Sequence, residues 1–304
     1  VAWSSREALT TWTAAATNTA GDLQVPTGGR VIGAVKWQTD VILFTDTGVA
    51  RMYYTGQPFI YGVQDAGTNC KAISTRGIVS GGNFLAWMGE NSFFIFDGSV
   101  KEIACEVHDY IFDDLNYGYR KTIAGGHNSN FNEIWWFFPS TDSLKPDKYV
   151  IWNYLDNSWS IGSMDRGCWV DQGTFDYPIA CDNDGFVYQH ESTTLNNSPE
   201  LGTSVPFAQS GPIEIGNGDR CVQVNQIIPD SEANTLPGVT LSFKGKFTPL
   251  GPETDFGSFT FDSTDGYTDA RFTARQVQMK VTGETTQDFE VGAIRLDLRN
   301  RGRR

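Results

Sequence analysis

Basic residues are scarce in this chain: 23 Lys and Arg stand against 36 Asp and Glu, a formal net charge of −13. Nucleic-acid readers draw most of their affinity from Lys and Arg that neutralise phosphate. An acidic body therefore argues against tight DNA binding. It is compatible with a wall past which DNA slides, because like charges do not stick. Cysteine is sparse as well. Cys70, Cys105, Cys168, Cys181 and Cys221 are scattered and never form Cys-x-x-Cys. That spacing argues against a disulfide framework or a zinc site. The five read as buried free thiols of a protein folded in a reducing cytosol. No apolar run approaches the roughly 20 residues that span a bilayer, so no membrane insertion is expected. The start, Val1-Ala2-Trp3-Ser4-Ser5, has neither the charged segment nor the apolar run of a signal peptide. It also lacks an initiator Met and reads as truncated or processed.

Helical periodicity and catalytic motifs are also missing. The best helical stretch runs from His108 to Leu115, with Asp109 near its start, where the helix dipole favours an acid. His108, His127 and His190 have no second His or Cys at metal spacing. No Gly-x-Ser-x-Gly elbow occurs. Sialidase-type boxes are incomplete: Thr45-Asp46-Thr47-Gly48 has no Trp, and Asp156-Asn157-Ser158-Trp159 has no Gly. Asp182-x-Asp184-Gly185 with Glu191 partly mimics a calcium loop. Ala180 stands at its first ligand position, however, and the flanks read as strands, so an Asp-Gly hairpin turn is the better account. Gly216-Asn217-Gly218-Asp219 is followed by neither helix nor Lys and reads as a tight turn rather than a phosphate cradle. No enzyme activity, cofactor or metal is expected.

What the chain does have is a recurring aromatic hairpin. Val35–Trp37 and Val41–Phe44 lead through Thr45–Gly48 into Val49–Tyr54. Phe84–Met88 turns at Gly89–Ser92 into Phe93–Phe96. Lys148–Tyr154 turns into Trp159–Ile161, and Tyr177–Ala180 turns through Asp184-Gly185 into Phe186–Tyr188. One supersecondary unit used several times is the mark of a β-propeller. The pairs Gly28-Gly29, Gly81-Gly82 and Gly125-Gly126 recur at about the 40–50 residues of a blade. They suggest backbone crowding or positive φ at one place in each unit. Trp3 and Trp12 look like the end of an earlier blade. In Trp135-Trp136-Phe137-Phe138, alternate side chains face opposite ways, so at most half could stack on a ligand while the others fill a core.

After His190 the chain turns polar, and beyond it alternation becomes cleaner. Cys221–Ile228, Val239–Phe247, Arg275–Val281 and Ala293–Leu298 have the period of two of half-buried strands. The expected architecture is all-β: β-propeller blades over 1–191, a linker over 192–200, and a C-terminal antiparallel β-sandwich over 201–304. Its last ten residues hold Arg295, Arg299, Arg301, Arg303 and Arg304. They read either as a solvated tail or as a contact for an acidic neighbouring subunit or DNA phosphate.

The order of several short marks resembles the tail hub or nozzle proteins of short-tailed bacteriophages, also called packaged-DNA stabilisation proteins. The marks include Arg51-Met52-Tyr53-Tyr54, Phe96-Asp97-Gly98 and Glu133 through Ser140. Tyr149 through Tyr154, Pro178-Ile179-Ala180, Asp184 through Glu191, Ile228-Pro229-Asp230 and Gly302-Arg303-Arg304 continue the series. The resemblance implies a structural virion protein without enzyme activity. It implies a homohexameric ring on the tail axis, a propeller in each subunit and a DNA channel. Its partners would be a head-to-tail adaptor, tail fibre or spike proteins and, transiently and non-specifically, the genome. Such a protein is assembled in the host cytoplasm and resides in the virion tail. The chain is shorter than such proteins, with at least one N-terminal blade missing, and Cys221 stands where an aromatic is expected. The channel-facing surface is expected to carry Asp and Glu. The alternative is a glycan-binding propeller for host recognition, with exposed Trp and Tyr on its hairpins.

Overall fold

The computed structural model describes residues 1–26, 28–191, 205–214, 220–228, 239–260, 266–283 and 291–302. It is almost entirely β, built from antiparallel sheets, and divides into two compact units, Val1–Ser192 and Thr193–Arg304. The linker expected over 192–200 lies outside the described residues.

The first unit is a succession of meanders. A two-stranded ribbon, β1 (Ala2–Trp3) and β2 (Gly21–Asp22), comes first. A four-stranded sheet follows in chain order: β3 (Val31–Trp37), β4 (Asp40–Thr45), β5 (Gly48–Gly56) and β6 (Ile60–Thr68). The next is β7 (Ile78–Ser80), β8 (Leu85–Met88), β9 (Phe93–Phe96) and β10 (Val100–Ile103). The third is β11 (Ala124–Asn128), β12 (Glu133–Phe138), β13 (Lys148–Asn153) and β14 (Ser158–Ser163). Three strands end the unit: β15 (Cys168–Val170), β16 (Ile179–Cys181) and β17 (Val187–Gln189). The helix expected from His108 is the single turn α1 (His108–Phe112), whose Ile111 and Phe112 are buried.

The middle strands explain the apolar runs. All four residues of β8 are buried, because its sheet is covered on both faces. Leu85 and Trp87 join a core with Trp37, Ile42 and Phe44 of the preceding sheet. Ala86 and Met88 join another with Ile134, Trp136 and Phe138 of the following sheet. Period-two alternation thus sends neighbouring residues into different cores. Trp135 and Phe137 turn the other way and stack on Trp169 of β15, with centroids 5.3 and 6.0 Å away. Both faces of the Trp-Trp-Phe-Phe run fill cores; neither is a stacking platform.

Tryptophan indoles fasten one sheet to the next. Trp37 Nε1 donates to the Asn83 carbonyl at 2.8 Å, and Trp136 Nε1 to the Gly77 carbonyl at 2.9 Å. Trp159 Nε1 reaches the Ala104 carbonyl at 2.9 Å, and Trp169 Nε1 the His127 carbonyl at 2.8 Å. In each case the acceptor lies in or beside a neighbouring sheet. A buried indole N–H needs a partner, and a spare carbonyl next door supplies it.

The ribbon near the start covers the sheet that follows it: Val1 packs with Val25, Leu43 and Ala50, and Trp3 meets Tyr61 edge-on at 5.1 Å. The glycine pairs do not occupy one equivalent place. Gly28 and Gly29 precede β3 at φ of 65° and 73°, and Gly82 turns between β7 and β8 at φ 87°. Gly125 and Gly126 instead lie inside β11, where a Cβ would strike Val79 and Trp169. Positive φ explains Gly28, Gly29 and Gly82, and close approach explains Gly81, beside Phe84, and the third pair.

The second unit holds β18 (Phe207–Gln209), β19 (Ile213–Glu214), β20 (Val222–Ile228), β21 (Thr240–Lys246), β22 (Thr254–Thr260), β23 (Thr268–Ala274), β24 (Gln276–Thr282) and β25 (Arg295–Asn300). One sheet has the order β18-β24-β21-β22, with β19 also on β24; the other is β23-β20-β25. Val224 and Ile227 of β20 and Phe272 of β23 share a core with Leu241 and Phe243 of β21 and Val277 of β24. The two sheets therefore bury their apolar faces against each other.

Candidate interface strand and buried polar clusters

The arginines of the C-terminus are not simply a tail. Arg295 and Arg299 belong to β25, which pairs with β20 through Ile228↔Arg295 and Gln223↔Arg299. Leu296 packs against the core, so Arg295 and Arg299 share the opposite face and are exposed. Between them Asp297 accepts from Asn225 Nδ2 at 3.1 Å. Arg301 extends the ladder: its backbone N–H donates to the Cys221 carbonyl at 2.8 Å. Its guanidinium donates to Gln223 Oε1, through Nε at 2.6 Å and through a second nitrogen. Arg303 and Arg304 lie outside the described residues. Strand pairing holds the backbones of Arg295, Arg299 and Arg301, while their side chains are exposed. Among the described residues β25 is an edge strand. Charge on an edge deters indiscriminate strand pairing, and exposed guanidinium forks suit a carboxylate or phosphate.

Each of the three histidines has polar partners. His108 Nδ1 lies 2.9 Å from Asp109 Oδ1, and its Nε2 lies 2.9 Å from the Asn91 carbonyl oxygen. His190 Nε2 accepts from Arg166 Nε at 2.9 Å. His127 Nδ1 lies 3.2 Å from Asp171 Oδ2, and its Nε2 is 3.3 Å from the Tyr154 hydroxyl. Burial pushes the His127 pKa down, against the pull of Asp171.

Beside His127, Asn128 is fully buried, and its Nδ2 donates to Glu133 Oε2 at 3.4 Å and Glu191 Oε1 at 3.1 Å. Trp135 Nε1 also donates to Glu133 Oε2, at 3.0 Å. Burial raises the pKa of both glutamates, and the Glu191 charge raises Glu133 further. An acid with a raised folded pKa keeps its proton after the unfolded chain has lost it. Stability is then full below the ordinary value of 4.5 and falls as pH climbs toward the raised value. Glu133→Gln removes one such group. Its urea midpoint is expected to gain on that of the parent protein as pH rises above the ordinary value of 4.5. A constant difference between the two proteins above that value would refute the assignment.

The thiols differ from the sequence reading. Cys70 and Cys221 are buried, but Cys168 is exposed and Cys105 and Cys181 are half-buried. Cys168 and Cys181 stand directly opposite each other on β15 and β16. Their pairing was invisible because thirteen positions and a turn separate them. The calcium mimic is a turn: Asp182 Oδ1 accepts the backbone N–H of Asp184 at 2.9 Å and of Phe186 at 2.8 Å. Among the described residues no three His, Cys, Asp or Glu side chains form a metal-binding group.

No family model and no curated protein matches this chain. Among solved structures, the extracellular domain of a putative hybrid two-component system from B. thetaiotaomicron is 12% identical, with a TM-score of 0.31. That match covers 53% of this chain and 22% of the other. A glycoside hydrolase is 10% identical over 80% of this chain and 64% of its own, with a TM-score of 0.19. The chain thus spans less than two thirds of either structure. At these TM-scores neither likeness bears on fold or function.

Proposed function

We propose that this chain is a structural subunit of the tail hub or nozzle of a short-tailed bacteriophage, a ring that retains packaged DNA and conducts it during ejection. In this reading the meanders of the first unit are β-propeller blades, and the second unit is a β-sandwich. The observation that carries it is the division of β8 and β9 between two cores: Phe94 and Phe96 turn to one neighbouring sheet, Phe93 and Ile95 to the other. Blades stacked side by side require such two-sided burial. The arginine row of β25 gives an acidic protein a basic strand for docking a second copy or an adaptor. The protein is then a homohexamer of the virion tail and carries no catalytic centre.

Native mass spectrometry and negative-stain imaging test this. A six-fold ring, alone or on its head-to-tail adaptor, is the expected result. A monomer at every concentration, with adaptor present, would sink the proposal. The glycan-binding alternative calls for exposed rings on the hairpins. Trp87 and Trp136 are fully buried, whereas Tyr54 is 65% exposed. Binding on a glycan array, abolished by Tyr54→Ala, would favour it.

A further inference from the structure

Arg30, Lys71, Arg76, Arg120 and Lys121 line one open cavity of about 570 Å3. The five cations come from three places in the chain, each just ahead of the first strand of a four-stranded sheet. Arg30 precedes β3, Lys71 and Arg76 precede β7, and Arg120 and Lys121 precede β11. Five cations in one concavity stand out in a chain of net charge −13. The sign is the reverse of the acidic surface expected of a channel. It arises because three distant segments each deliver their cations to the same place.

Little neutralises them. Lys71 Nζ pairs with Glu90 Oε1 at 2.9 Å. Glu90 and Asp46 both line the cavity, Asp46 accepting the backbone N–H of Arg30 at 2.9 Å, so two carboxylates face the five cations and leave a net positive charge. Among the described residues, Arg30, Arg76, Arg120 and Lys121 have no carboxylate within ion-pair distance. Arg76 donates to the Thr122 carbonyl at 3.3 Å and Arg120 to the Tyr117 carbonyl at 3.1 Å. Those contacts orient the two guanidinium groups and leave other N–H groups of each fork to spare.

We propose that this cavity is a binding site for a small phosphoryl ligand carrying several negative charges. Like charges gathered without partners repel one another, and a polyanion removes that repulsion. Guanidinium forks match the geometry of phosphoryl oxygens. The volume falls in the range of about 300–1,000 Å3 usual for small-ligand sites. A nucleic-acid duplex does not enter a cavity of that size. The site is independent of the ring proposal, since one chain supplies every residue.

Isothermal titration of the full chain with inorganic tripolyphosphate tests the proposal. One saturable site per chain is expected, weakening as salt rises. Arg76→Gln with Arg120→Gln should weaken it about tenfold or more, the scale of lost hydrogen bonds to charged groups. The pair Arg30→Gln and Lys121→Gln should do the same, and circular dichroism should show both variants folded. Lys101→Gln, at an exposed lysine that pairs with Asp97 and does not line the cavity, should leave binding unchanged. A short single-stranded oligothymidylate separates the sources: tighter, variant-sensitive binding would assign the phosphoryl groups to nucleic acid. No saturable binding of either probe would overturn the proposal. So would equal affinity in both double variants, or citrate bound as tightly as tripolyphosphate.

Discussion

Replacing Trp136 with alanine is expected to cost the first unit about 5 kcal/mol. Truncating a buried tryptophan removes about 3–5 kcal/mol through lost transfer energy and the cavity left behind. Trp136 is fully buried and packs on Phe93 at 4.9 Å and Trp159 at 6.3 Å. The same change strands the Gly77 carbonyl, which now accepts the indole N–H. An orphaned buried acceptor adds about 1–3 kcal/mol. Trp136→Phe separates the two effects: it keeps most of the packing, loses the donor and should cost only that second amount. Trp12→Ala, at a 55% exposed site, should change stability by no more than about 0.5 kcal/mol. All nine tryptophans precede residue 193, so their fluorescence in urea follows the first unit alone. If Trp136→Ala cost less than about 2 kcal/mol, the indole would not be holding two sheets together.

That prediction rests on a feature no sequence pattern displays. The strands were legible because their side chains alternate and their ends carry turn residues: Asp46 sits between β4 and β5, with Gly48 opening β5, and Asp184 and Gly185 sit between β16 and β17. The indole clamps were not. Their acceptors are backbone carbonyls 42 to 59 residues away, and every residue type has one. The basic cavity escaped for a related reason: no window of sequence holds Arg30, Arg76 and Arg120 together. The arginine-rich end was visible as charge, but how far it runs as a strand was not, since its ladder partners on β20 are distant in sequence. β22 was missed because most of it is exposed, and β23 because two of its buried positions are the small residues Ala270 and Ala274.

The glycine pair misread as a repeat marker makes the second large effect. A Cβ on Gly126 would lie 2.2 Å from Trp169 Cγ and 2.6 Å from its Cβ. These atoms are the root of the side chain, so a rotamer change cannot clear them. Trp169 is also fixed at its far end, stacked on Trp135 and donating to the His127 carbonyl at 2.8 Å. Gly126→Val is therefore expected to eject the ring, at a cost of about 3–5 kcal/mol. The ejected ring is the aromatic link between β15–β17 and β12, through Trp135 and Phe137. Loss should appear first as local opening, with protease cuts within residues 165–191 long before global unfolding. Gly28→Ala would meet open space but a φ of 65°, and should cost only about 1–2 kcal/mol. Gly173→Ala meets nothing and should be nearly silent. If Gly126→Val resisted protease as well as the parent protein, β15–β17 would be anchored by something other than Trp169. A cut confined to that segment would show instead that each sheet is held by the aromatic face of the one before it. The aromatic hairpins would then be the joints of a serial assembly, which opens from its end rather than from its middle.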